Sequence, residues 1–106
     1  LIEGALSVVE YFYQRKFDRE SLDFNRFVVH LRYFAQRLFQ GKMMEDNQGE
    51  HDVMFRQLIM KNCKEHYKCA QCIGDYVKNT YQKTLSEEEL TYLTIHLKRI
   101  NLGLQQ

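Results

Sequence analysis

The chain has 106 residues, 44% hydrophobic and 27% charged, and its 15 basic and 14 acidic side chains leave a net charge of +1. That composition describes one domain able to bury a core without metal or disulfide support, and it excludes disorder. The near-zero charge gives this segment no electrostatic reason to bind nucleic acid or an anionic membrane, and no apolar run nears the roughly 20 residues that span a bilayer.

Three cysteines, an odd number, fit a reducing cytoplasm better than a disulfide framework. No proline, five glycines and long 3.6-periodic stretches predict an all-helical domain. Ile2, Ala5, Leu6, Val9 and Phe12 predict a first helix from the start of the chain to about Lys16. Phe17 to Ser21 reads as a turn, with Ser21 an N-cap and Asp23 favourable in the first turn. A second helix follows to about Phe39 or Gln40, where Gly41 can take the left-handed conformation. Lys42 to Glu50 is the clear loop. A short third helix, around Asp52 to Lys61, is expected to bury Phe55, Leu58 and Ile59. A fourth, roughly Glu65 to Gln82, is expected to bury Ala70, Ile73 and Val77, with Tyr81 a further candidate. Ser86-Glu87-Glu88-Glu89 reads as a capping box opening a fifth helix, with Ser86 bonding the Glu89 amide and Glu89 reaching back.

Two histidines stand out. Stepping about 100° per residue puts Phe24, Phe27, Val28, Leu31, Ala35 and Leu38 on one core arc of the second helix. His30 lies on the shoulder of that arc, beside Arg26, Tyr33 and Arg37. In the fifth helix Leu90, Leu93, Leu97 and Ile100 form the arc, and His96 lies on its shoulder beside Tyr92 and Arg99. A half-exposed imidazole one turn from a guanidinium is placed to carry or release a phosphoryl group. A surface or partly satisfied histidine is the plainer reading of either alone; two in matching contexts weaken it. The shoulders bearing Tyr33, Phe34, Tyr92 and Ile95 also offer apolar surface for self-association as a two-fold dimer.

Cys63, His66, Cys69 and Cys72 suggest zinc by spacing. On one helix, however, each step of three turns about −60°, so four ligands cannot converge unless the helix breaks near Lys64. Buried, nearly inert thiols are expected instead, and neither metal nor cofactor is called for. His51 reads as a cap or surface residue.

The same residues carry a resemblance. Arg26-Phe27-Val28-Val29-His30-Leu31-Arg32-Tyr33-Phe34-Ala35-Gln36-Arg37-Leu38 resembles the first histidine motif of the PTS regulation domain. Glu88-Glu89-Leu90-Thr91-Tyr92-Leu93-Thr94-Ile95-His96-Leu97-Lys98-Arg99 resembles the second, and Tyr67 to Ile73 is similar to the stretch before the family's long fourth helix. The wording of the first motif is most like the second such domain of BglG-type transcriptional antiterminators. The resemblance implies a compact all-α bundle of five helices in crossed antiparallel pairs, one domain over residues 1–106. A start at Leu1 rather than methionine suits a piece of a longer regulator. It implies a cytoplasmic phospho-acceptor rather than an enzyme. His30 and His96 would receive phosphoryl groups from the histidine phosphocarrier protein or a sugar-specific enzyme II. Arg26, Arg37 and Arg99 would neighbour the phosphate, and a homodimer would pass the change to an RNA-binding domain outside this chain. A helical dimerisation module without phosphorylation, or the same domain in a DNA-binding activator, is the alternative.

Overall fold

The computed structural model describes residues 1–100. Those residues form five helices and no strand: α1 (Ile2–Tyr13), α2 (Leu22–Phe39), α3 (Glu50–Asn62), α4 (Lys64–Tyr81) and α5 (Glu87–Ile100). α4 and α5 pack along their lengths; α1 lies on α4, α2 on α5, and α3 bridges α4 and α5. Ala5, Leu6 and Val9 meet Phe27, Leu31, Phe34 and Leu38, together with Ala70, Ile73, Val77, Leu93 and Leu97, in one continuous core. Each large side chain buried there contributes about 2 kcal/mol.

The helix ends follow from local chemistry. α1 stops at Tyr13, short of Lys16, because Gln14 turns left-handed at φ 58°. The Glu10 carboxylate then accepts the Phe17 amide at 2.9 Å and directs the chain away. Ser21 Oγ accepts the Phe24 amide at 3.1 Å, the expected N-cap of α2. At its other end Gly41 takes φ 68°. The Lys42 amide reaches the Arg37 carbonyl at 2.8 Å and the Gly41 amide that of Leu38 at 3.3 Å, a Schellman ending.

Three expectations are corrected. Phe34 is not a shoulder residue but 1% exposed, completing a Phe27, Leu31, Phe34, Leu38 stripe, whereas Val28 and Ala35 are only half-buried. On α3, Phe55 and Leu58 are 52% and 53% exposed and Ile59 half-buried. The helix has weak apolar arcs on two sides, and Arg56, paired with Glu88 of α5, turns the other one inward. The capping box forms only in part. Ser86 Oγ accepts the Glu89 amide at 3.2 Å, but the Glu89 side chain goes elsewhere. The loop between α2 and α3 supplies the other cap: Asp46 Oδ1 accepts the Glu88 amide at 2.9 Å, while Ser86 Oγ donates to the Met44 carbonyl at 2.6 Å and ties that loop to the helix start.

Candidate functional site

Packing α2 against α5 brings His30 and His96 face to face. Their ring centroids are 3.6 Å apart and the planes differ by 20°. Both sit on the shoulders of their helices, half-buried. Tyr92, one turn before His96, packs its ring edge-on against the His96 ring at 4.6 Å. Its hydroxyl lies 3.1 Å from His30 Nδ1 and also 3.1 Å from the His30 carbonyl.

The stack opens onto a cavity of about 410 Å³ lined by Asp23, Arg26, Phe27, His30, His96, Arg99 and Ile100. Two guanidinium groups and two imidazoles thus face one space, with a single carboxylate, that of Asp23, among them. Burial, then His30, Arg99 and Arg37, holds His96 down to about 4. Burial and Arg99 lower His30 as well. Both rings are therefore neutral at pH 7 and can offer a nitrogen lone pair, and the two arginines can bind an anion that forms on it.

Arg37, expected beside a phosphate, is placed differently. Its guanidinium forks onto Glu89, Nε to Oε2 at 2.9 Å and the terminal nitrogen to Oε1 at 2.8 Å. It also lies over the Tyr92 ring, 4.5 Å from the centroid. Glu89 is 1% exposed and accepts the Met44 amide at 3.0 Å, so all of its partners come from outside its own helix. Arg37 thus braces Tyr92 and does not line the cavity. Sequence reasoning missed Asp23, which it assigned only to the helix start. It also missed the link from Tyr92 to His30, which joins different helices. A glutamate seven residues before His96 and an arginine seven after His30 were the available signals.

The other histidines lie elsewhere. His51 is exposed on α3, and His66 Nδ1 is bonded to the Tyr13 hydroxyl between α4 and α1. Cys63 and Cys69 are buried and Cys72 exposed; burial pushes the Cys69 thiol up to about 12. Among the described residues, no cluster of histidine, cysteine and carboxylate side chains is arranged to hold a metal ion, and no helix is long and apolar enough to cross a membrane.

The PRD domain family model matches residues 3–100. The chain is 37% identical over 100 residues to the transcription antiterminator LicT of Bacillus subtilis, covering 94% of this chain and 35% of that protein. It is 31% identical over 107 residues to the beta-glucoside operon antiterminator of Dickeya chrysanthemi, covering 100% and 36%. To the PtsGHI operon antiterminator of Bacillus subtilis it is 29% identical over 103 residues, covering 94% and 34%. The chain spans about a third of the length of these relatives. A match over nearly every described residue, on a five-helix all-α bundle, places this chain in the PRD domain family.

Proposed function

We propose that this domain is the phospho-acceptor switch of a transcriptional antiterminator, with His30 and His96 as its acceptors. The observation that carries the reading is the stack of two neutral imidazoles at a cavity lined by Arg26 and Arg99. The donor is a phosphohistidine protein of the phosphotransferase system, either the histidine phosphocarrier protein or a sugar-specific enzyme II. The domain supplies a nucleophile and a cationic seat and needs no catalytic machinery of its own. A phosphoryl group adds between one and two negative charges where uncharged rings now touch, so the α2–α5 contact is the element its arrival disturbs.

That disturbance reaches the rest of the parent protein through a homodimer. Leu22, Val29 and Tyr33 are 66%, 41% and 55% exposed. Their spacing lines them up along one face of α2, next to His30, as exposed apolar residues with Arg26 between Leu22 and Val29. A second copy seated there would sense charge at the histidines and relay it to an RNA-binding domain elsewhere in the parent.

Transfer of labelled phosphoryl groups from each purified, phosphorylated donor tests the reading. His30→Ala and His96→Ala should each remove part of the label, and the double variant all of it. A wild-type domain that takes no label from either donor would leave only the dimerisation role.

A further inference from the structure

We propose that Tyr92 is a positioning residue that holds His30 with its proton on Nδ1, so that Nε2 is the atom that takes the phosphoryl group. The proposal rests on the phospho-acceptor reading above and adds which atom reacts and what prepares it.

The Tyr92 hydroxyl touches two atoms of His30, Nδ1 and the backbone carbonyl oxygen, each at 3.1 Å, and has one proton to give. If it donated to Nδ1, two oxygens would face each other at that distance with no proton between them. If it donates to the carbonyl, Nδ1 must donate to the hydroxyl oxygen, and both contacts become hydrogen bonds. Only the second arrangement turns both close contacts into hydrogen bonds and leaves no two oxygens facing each other bare, which is the kind of network criterion that assigns an imidazole tautomer.

Tyr92 has little freedom to choose otherwise. Arg37 lies over one side of its ring at 4.5 Å, and the His96 ring packs against it at 4.6 Å. Arg37 is held in turn by the Glu89 fork, and Glu89 by the Met44 amide. The chain Glu89–Arg37–Tyr92–His30 therefore runs from a buried carboxylate to the reacting ring. Among the described residues Nε2 of His30 has no hydrogen-bond partner, and the ring borders the cavity of Arg26 and Arg99.

In the transfer step the donor's N–P bond breaks and its electron pair returns to the donor ring. The His30 Nε2 lone pair forms the new N–P bond. The Nδ1 proton stays on His30, where the Tyr92 oxygen faces the positive charge the ring gains.

Nitrogen-15 NMR of the labelled domain at pH 8 reads the tautomer without any donor. The expected spectrum gives His30 a protonated Nδ1 and a bare Nε2. Tyr92→Phe keeps the ring and its packing but removes the hydroxyl, and should shift the population toward the other tautomer by about fivefold. In a His96→Ala background, which leaves His30 as acceptor, the phosphoryl group should sit on Nε2 and Tyr92→Phe should slow labelling by a similar factor. A proton on Nε2 in the wild type, a phosphoryl group on Nδ1, or an unchanged tautomer in Tyr92→Phe would each overturn the proposal. Should that variant lose its helical fold, the wild-type spectrum alone decides. A domain with the expected tautomer that accepts no phosphoryl group would refute the phospho-acceptor reading and leave the role of Tyr92 in the tautomer standing.

Discussion

His96 is the residue whose environment differs most from water in its consequence for chemistry. Burial, the neighbouring His30 ring and two arginines hold it at about 4 in the folded domain, against about 6.5 in an unfolded chain. Between those values the unfolded chain binds a proton that the native ring refuses. Stability is therefore unaffected above about pH 6.5 and falls as the pH drops toward 4. Solvent reaches much of the ring, so the loss is on the order of 1–2 kcal/mol rather than the full shift. Urea melts at pH 7.5, 6 and 4.5 should show this decline, and His96→Gln should flatten it without abolishing it, because His30 and His66 are lowered too. A second prediction concerns Gln14, held left-handed at φ 58° where glycine carries no steric penalty. Gln14→Gly should stabilise the domain by about 1 kcal/mol, read as a rise in thermal midpoint.

At the level of elements, the amino end of α5 is held by other parts of the chain. Glu89 joins α5 to Arg37 of α2 and to the Met44 amide, and Asp46 caps the Glu88 amide. Glu89→Ala would leave a half-buried guanidinium and a loop amide without their acceptor, and should cost about 3 kcal/mol in chemical denaturation. Asp46→Ala removes one cap and should cost about 1 kcal/mol. These contacts also mark where the sequence stops being legible. Helix number, order and most ends could be read because apolar spacing, Ser21 and Gly41 act within a few residues. So could the candidacy of His30 and His96, through their matched shoulders and the family motifs, but not the stacking of their rings. Glu89 was misread because a capping box is a local possibility that a buried arginine across the bundle outcompetes. Phe55 and Leu58 were misread because α3 has apolar side chains on more than one face, and its rotation is set by the distant pair Arg56–Glu88. Tyr92 could be placed near His96 but not against His30, since that contact exists only after α2 and α5 pack.

Across the whole domain two surfaces adjoin, the histidine cavity and the exposed face of Leu22, Val29 and Tyr33 beside it. Val29→Glu puts a carboxylate between Leu22 and Tyr33 on that face and away from the core, so it should weaken self-association at least tenfold in sedimentation equilibrium while the helical spectrum is kept. An unchanged association constant would move the dimer contact to another face. The stacked pair His30 and His96 is the proposed site of modification. Mass spectrometry under conditions that preserve phosphohistidine, after incubation with a phosphorylated donor protein, is the decisive measurement. Phosphoryl groups are expected on the peptides containing His30 and His96 and none on those containing His51 or His66. Label on His51 or His66, or undiminished label when both His30 and His96 are alanine, would contradict it.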